Sequence, residues 1–421
     1  MEPHELTSLL TEARERTLAL VEDLTGEELI GPRLDIVNPP LWEIGHVAWF
    51  QEKWVLRHRR ARPPRRPDGD ALYDSAAVHH DTRWDLPLPS RRDTLDYMED
   101  VLTRARQALI ENAPSEDGTY FGLLALFHEH MHAEALAYTR QTHGYRAPYR
   151  HAPATGGPLA GDVAIPGGTF RLGAGPDGSF VFDNEKWAHA VDVRPYAMAR
   201  APVTNVEYVK FVEARGYERR EFWSEAGWRW RESAGARAPV YWTELGGAWV
   251  RRHFDTLVPL PPHHPILHVN AHEAEAYCRF AKRRLPTEAE WEMAAALDPG
   301  TGRKRRYPWG DEPPTPERAN LDWVRGGLLP VDALPSGESA FGCRQMLGNV
   351  WEWTATDFGP YPGFVVDPYK EYSEPWFTGH RVLRGGCWTT RSALIRNTWR
   401  NFYPPHRRDV WAGFRTCAID D

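Results

Sequence analysis

The run from Phe121 to Gln141 contains no proline and no glycine after Gly122. Leu123, Leu124, Leu126, Phe127, Met131, Ala135 and Leu136 supply its apolar positions, so it reads as one helix. At its centre lies Phe127-His128-Glu129-His130-Met131-His132-Ala133-Glu134. On a helix His128 and His132, four residues apart, stack on one face, whereas His130 points elsewhere. Two neutral imidazoles on one face can seat a transition metal. Such a helix needs neighbours that bury its apolar side and complete the ligand set.

Three earlier segments supply them. Residues 5–24 place Leu6, Leu9, Leu10, Ala13, Thr17, Leu20, Val21 and Leu24 on one side of an amphipathic helix. Asn38-Pro39-Pro40 reads as an N-cap with proline in the first turn, opening a helix through Leu41, Ile44, Val47, Ala48, Phe50 and Trp54 to about Arg59. Arg60 to Asp70, rich in proline and arginine, reads as a loop. A third helix starts at Ser90, has Asp93 in its first turn, and runs through Leu95, Met98, Leu102, Ala105 and Leu109. Four amphipathic helices with two long connections predict a four-helix bundle over residues 1–150, whose interior can assemble a metal site from facing helices. His46 is the second helix's candidate ligand. His46, His128 and His132 would give three nitrogen donors and leave open positions, as catalysis requires. The same helix satisfies His-Glu-x-x-His, with Glu129 as the general base of a zinc hydrolase, which is the alternative reading. The longer metzincin pattern needs a glycine and a histidine where Ala135 and Tyr138 stand.

From Gln141 to Gly161 the chain is rich in Gly, Pro, Tyr and His and reads as an interdomain linker. Beyond it the helical rhythm stops. Val163 to Gly173 looks like two short strands around a turn. Helices are expected over Thr204–Ala214 and Asn270–Lys282, and a short one after Pro286, with Thr287 as N-cap and Glu290 closing a capping box. Many of the 19 tryptophans fall in this half, which suits a loop-rich fold held by aromatic packing. The net charge of −7 argues against a general nucleic-acid binder. Four cysteines, Cys278, Cys343, Cys387 and Cys417, form neither a disulfide framework nor a CxxC metal site and read as buried packing residues. The charged N-terminus lacks a signal-peptide core, and no stretch of about 18 apolar residues predicts a membrane span. A cytoplasmic protein is expected, acting on neither nucleic acid nor membrane.

Several phrases of the second half belong together: Arg284-Leu285-Pro286-Thr287-Glu288-Ala289-Glu290-Trp291-Glu292, Tyr307-Pro308-Trp309-Gly310, Gly348-Asn349-Val350-Trp351-Glu352-Trp353, Arg381-Val382-Leu383-Arg384-Gly385-Gly386-Cys387-Trp388 and Ala412-Gly413-Phe414-Arg415. As a set they resemble the formylglycine-generating-enzyme/sulfatase-modifying domain, a variant of the C-type lectin fold, over residues 160–421. Their residues read as scaffold. Residues 1–150 look like the DinB-type helical bundle. The expected fold class is therefore α+β, a DinB-like four-helix bundle followed by a C-type-lectin-like domain. The pairing, with His46 and the His128/His132 helix, resembles the ergothioneine-pathway sulfoxide synthases, including their selenoneine synthase branch. These are nonheme Fe(II), O2-dependent enzymes that join a sulfur or selenium donor to the imidazole C2 of hercynine, the trimethylated betaine of histidine.

The resemblance implies His46, His128 and His132 as iron ligands. In Pro368-Tyr369-Lys370-Glu371-Tyr372-Ser373-Glu374-Pro375, it implies Tyr369 as the proton or hydrogen donor of the oxygen-dependent step and Tyr372 as part of the hercynine site. In Arg400-Asn401-Phe402-Tyr403-Pro404-Pro405-His406-Arg407-Arg408, Asn401 would contact hercynine, Phe402 would pack beside its trimethylammonium, and Arg407 would pair with an anionic substrate group. Arg83 would contact the donor. Tyr403 stands where the branch using gamma-glutamylcysteine has an acidic residue, and Met131 replaces a family glutamine near hercynine. The branch using free cysteine draws its catalytic tyrosines from the bundle, but Val78-His79-His80-Asp81-Thr82-Arg83-Trp84 has none. A neutral aromatic at Tyr403 suits a sugar-bearing donor, so a selenosugar and a cysteine-type thiol both stay open. Formylglycine generation would need a copper-binding cysteine pair where Thr390 and Ile395 stand, and Cys387 occupies a usual serine position.

Overall fold

The computed structural model describes residues 2–58, 62–111, 116–149, 154–176 and 180–419. It divides into two compact units, Met1–Pro148 and Tyr149–Asp421. No helix among the described residues is long and apolar enough to cross a membrane.

The first unit is helical. Its elements are α1 (Pro3–Ala19), α2 (Pro40–Gln51), the short α3 (Gly69–Tyr73), α4 (Arg91–Glu111) and α5 (Glu116–His143). The four long helices form the expected bundle: α2 packs on α4 and α5, and α1 on the same two. Two details differ from the sequence reading. All residues of α2 are buried, so α2 is a central helix, buried around its whole circumference with Glu43, His46 and Gln51 turned inward, rather than an amphipathic one with a solvent face. Asn38 does not cap it: the cap position is Pro39 and has no side-chain hydrogen bond, while the Asn38 amide is directed to Glu43 and Arg83. Past Gln51 the winding loosens to a π-helix over Glu52–Arg57; Arg59, the expected helix end, lies outside the described residues.

Arg14 of α1 crosses the bundle to Glu129 of α5 in a buried ion pair at 2.8 Å and also reaches Gln51 at 3.1 Å. Arg140, fully buried, ties the C-terminal turn of α5 to Asp23 at 2.7 Å and to the Leu20 carbonyl at 2.7 Å. These side chains fix the register of α5, and with it the azimuth of its histidines. The expected linker is shorter than predicted. Helix α5 continues to His143, the Gly157 amide donates to Asp332 at 2.7 Å and His264 donates to the Ala154 carbonyl at 2.8 Å. Residues 150–153 lie outside the described residues.

The second unit holds two four-stranded sheets. In one the spatial order is Asp162–Ile165, Tyr196–Ala199, Cys417–Ala418, Arg283–Arg284; in the other it is Asn401–Tyr403, Arg381–Arg384, Trp351–Asp357, Ala412–Gly413. The two strands predicted around Pro166-Gly167 exist but do not pair with each other. Asp162–Ile165 joins Tyr196–Ala199, and Gly168–Leu172 joins His189–Val193. Positive φ at Gly167 and Gly168 lets the chain change sheets there. The predicted helices appear as α6 (Asn205–Glu213), α8 (Ala271–Phe280) and α9 (Glu288–Ala296), the last with the Thr287/Glu290 capping box. The sequence reading missed α7 (Glu225–Ala234), although Ser224 caps its start and Gly235 ends it in the left-handed conformation.

The shared phrases of this unit are spent on its interior. Trp291, Trp351, Trp353, Trp388 and Trp411 are all buried. Glu352 takes both arms of Arg415 at 2.7 Å and the Trp291 indole N–H at 2.8 Å. Glu288 pairs with Arg400 at 2.7 Å, Arg384 with Glu292, and Arg396 with Glu185. Short strands provide few ladder bonds, and these charge-assisted hydrogen bonds satisfy the polar interior in their place.

Candidate metal centre

Helices α2 and α5 bring His46, His128 and His132 together: one possible ligand atom from each lies within 4.8 Å of the other two. Among the described residues this is the one such group of His, Cys, Asp or Glu. The ring centroids are 4.3–5.0 Å apart, and the Nε2 atoms of His128 and His132 face each other at 3.1 Å. His130, also buried, is not in the group.

Neighbouring groups decide which nitrogen each ring offers. His46 Nδ1 lies 2.7 Å from the carbonyl oxygen of Tyr73 in α3. A carbonyl only accepts, so Nδ1 carries the proton and Nε2 keeps its lone pair. His132 Nδ1 meets a carboxylate oxygen of Glu43 at 2.5 Å, with the same consequence. These contacts orient metal-ligating imidazoles and raise their basicity. Burial opposes ionisation of Glu43, but His132, the Asn38 amide and Arg83 outweigh it and hold the carboxyl below its ordinary value. Burial pushes His46 and His128 well below the ordinary imidazole range, reinforced by the nearby His132, so both rings are neutral bases at physiological pH.

Aromatic rings fix the imidazole planes. Phe50 stacks on His128 at 3.5 Å with 3° between planes, and Trp42 stacks on His46 at 4.7 Å. Gly45 lets α3 approach α2: a Cβ there would lie 2.4 Å from the ring of Tyr73, which is itself fully buried. Three imidazoles with ligand atoms this close suit a divalent transition metal such as iron, and three protein ligands would leave coordination positions open. Trp42, Phe50, Tyr73 and Gly45 were not foreseen as part of the centre. The α2 periodicity marks Trp42 and Phe50 only as core, and Tyr73 enters from a connection with no helical pattern.

Three sequence assignments acquire contacts. Glu129 is 1 % exposed and held by Arg14, which leaves it unsuited to serve as the mobile general base of a zinc hydrolase. Glu43, rather than Glu129, is the carboxylate that touches a histidine of the group. Arg83 is buried, with its guanidinium 3.9 Å from the Trp42 ring centroid and bonds to Asn38 Oδ1 at 2.5 Å and the Val78 carbonyl at 3.3 Å. Burial lowers its pKa to about 10. Met131 is partly exposed on α5.

In the second unit, Tyr369 and Tyr372 flank one short turn, with ring centroids 6.1 Å apart. Tyr372 stacks on Phe182 at 4.2 Å and meets Phe402 edge-on at 6.0 Å. Phe402 stacks on Phe358 at 4.0 Å. Asn401, Phe402 and Tyr403 form the edge strand beside Arg381–Arg384, so Asn401 and Tyr403 share one face and Phe402 takes the other. The Asn401 carboxamide oxygen accepts the Phe402 amide at 2.8 Å. Arg407 engages Asp409 at 2.6 and 2.7 Å and lies 5.2 Å from the Tyr403 ring centroid. Tyr372, Phe402 and Tyr369 thus form one aromatic cluster, whereas Arg407 has a carboxylate of its own. Cys387 is buried near the Thr389 and Thr390 hydroxyls at 3.1 and 3.5 Å, and all four cysteines are free thiols. Thr390 and Ile395 stand at the positions expected for the copper-binding cysteine pair.

Comparisons with known proteins agree with this division. Residues 9–136 match the DinB superfamily and residues 149–420 the sulfatase-modifying factor enzyme 1-like domain. A hercynine oxygenase of Mycobacterium tuberculosis is 40 % identical over 433 residues, covering 98 % of each chain. A hercynine oxygenase of Mycolicibacterium thermoresistibile is 39 % identical over 438 residues, covering 98 % of this chain and 95 % of the relative. A formylglycine-generating enzyme of Streptomyces coelicolor is 32 % identical over 305 residues, covering 65 % of this chain and 96 % of that protein.

Proposed function

The chain belongs to the hercynine oxygenase family, and on that premise we propose that it oxidises hercynine with O2 at a nonheme Fe(II) held by His46, His128 and His132. It is an oxidoreductase. The observation that carries the reading is the group of three imidazoles whose ligand atoms lie within 4.8 Å of one another, two of them, His46 and His128, buried and neutral. An imidazole C2–H is weakly acidic and a poor electrophile, so a polar pocket alone would not couple it to a thiol or selenol. Iron held by His46, His128 and His132 would supply redox chemistry and open coordination positions for hercynine, a soft chalcogen donor and O2.

The protein's own residues do the rest. Glu43 and the Tyr73 carbonyl keep the two Nδ1 protons in place, so that the opposite nitrogens remain available to metal. Phe50 and Trp42 exclude water from the ring faces. Tyr369 is the proposed proton or hydrogen donor; Tyr372, Asn401, Phe402 and Met131 would contact hercynine. Arg407 would pair with an anionic substrate group, and Tyr403 and Arg83 would bear on the donor, either a selenosugar or a cysteine-type thiol.

The test is an assay of protein loaded anaerobically with Fe(II), then given hercynine, O2 and, in parallel, cysteine, gamma-glutamylcysteine or a selenosugar, with product masses read directly. Coupling to one donor establishes the reaction and chooses the branch. A protein that binds iron yet forms no hercynine adduct with any donor overturns the reading.

A further inference from the structure

Arg251 lies in the three-stranded sheet of Trp242–Leu245, Ala248–His253 and Thr256–Pro259, with Trp242 and Val258 as its cross-strand neighbours. It is 6 % exposed. The other buried arginines of the second unit, Arg344, Arg384, Arg396, Arg400 and Arg415, each form an ion pair with a glutamate. Arg251 has no such partner among the described residues, and its Nε–H meets no acceptor. Burial lowers its pKa to about 10, so the group stays charged at neutral pH. A desolvated, uncompensated cation is unfavourable, and folded chains rarely keep one without a use.

Arg251 lines a cavity of about 390 Å³, a size that suits a small molecule. Val258, Leu260, Pro261 and Ala154 give it apolar walls, and His263, whose Nδ1 also lacks a partner, belongs to the lining. We propose that this cavity binds a small organic carboxylate with an apolar body. The guanidinium fork matches a carboxylate's two oxygens, and the apolar walls cover the remainder of the molecule. One cation matches one negative charge. A phosphate would bring more charge than the site can compensate and would leave the apolar walls unfilled. The lining residues all belong to the second unit.

The test uses the full chain with benzoate, the neutral isostere benzamide and inorganic phosphate as probes, read by titration calorimetry and by the thermal midpoint. Benzoate should bind at least tenfold tighter than benzamide and raise the midpoint, whereas phosphate should do neither. Arg251→Met should lose at least tenfold in benzoate affinity, with a ligand-free midpoint equal to or above that of the parent, because an uncompensated charge has been removed. Val258→Glu, which sets a carboxylate across the strand from Arg251, should raise the ligand-free midpoint and abolish benzoate binding even if Arg251→Met fails to fold. His128→Ala should leave benzoate binding intact. Equal binding of benzoate and benzamide, phosphate binding as well as benzoate, benzoate binding retained in Val258→Glu, or benzoate binding lost in His128→Ala would each overturn the proposal.

Discussion

In the bundle, His46 and His128 are buried as neutral bases and, with the partly buried His132, bring three ligand atoms within 4.8 Å of one another. At comparable depth in the second unit, Glu352 and Arg415, or Glu288 and Arg400, are buried as charges that answer each other completely. The histidines leave donor capacity over; these ion pairs leave none. Chemistry is therefore expected from the bundle's polar core and rigidity from the second unit's. The contrast also says which residues fail in which way when removed: ligand histidines should lose function without the fold, and the buried arginine–carboxylate pairs should lose the fold first.

The sharpest way to break the comparison is at the histidines. His128→Ala or His132→Ala should abolish iron binding and turnover while circular dichroism and the thermal midpoint of the iron-free protein change little; iron content and turnover like the parent's would sink the ligand assignment. Glu352→Ala comes next. It leaves Arg415 charged in a dry core and should cost about 3–5 kcal/mol, read as a lowered unfolding midpoint. Glu352→Met combined with Arg415→Met should recover most of that loss, because the pair itself carries little net stability. If Glu352→Ala melts like the parent, the second unit is not held in the way described. Glu43→Gln is smaller. It keeps the shape but weakens the acceptor for His132 and should reduce iron affinity about 10- to 100-fold, measured by competition with a chelator.

The gentlest probe is pH. His46 and His128 have folded-state pKa values depressed by burial, so below the ordinary value of about 6.5 the unfolded chain binds more protons than the folded one. Stability of the iron-free bundle should therefore be fully present above that value and fall as the pH drops below it. Replacing either histidine by Phe should flatten this acid limb in a denaturation series, and an unchanged limb would mean that the two rings are not the groups titrating.

The bundle was the more legible half because a helix writes its faces into the sequence. The four-residue spacing of His128 and His132 fixes a shared face before any coordinates exist, and His46 needs only a helix opposite. What periodicity cannot express is the angle at which an irregular connection returns. Nothing in Gly69–Tyr73 announces that a backbone oxygen of Tyr73 meets His46. Nor does the spelling of Asn38 distinguish a cap from a side chain turned to Glu43 and Arg83. In the second unit, recurring phrases identified the fold, and their scaffold reading agrees with where Glu352, Arg384 and Arg415 are buried. Period-two alternation could not assign strand partners, because strands two to seven residues long carry too little pattern. That is why Asp162–Ile165 and Gly168–Leu172 were readable as strands but not as members of different sheets.

Gly45 has no chemistry of its own, yet the seat of His46 depends on its missing side chain. Any larger residue would collide with the Tyr73 ring, and because that ring is enclosed, the strain would fall on α3 and on the carbonyl that holds the His46 proton. In a saturation screen scored by turnover, position 45 should cluster with the three histidines rather than with ordinary core positions. A designer transplanting this centre into another bundle would have to carry across a gap between two helices as well as three ligands.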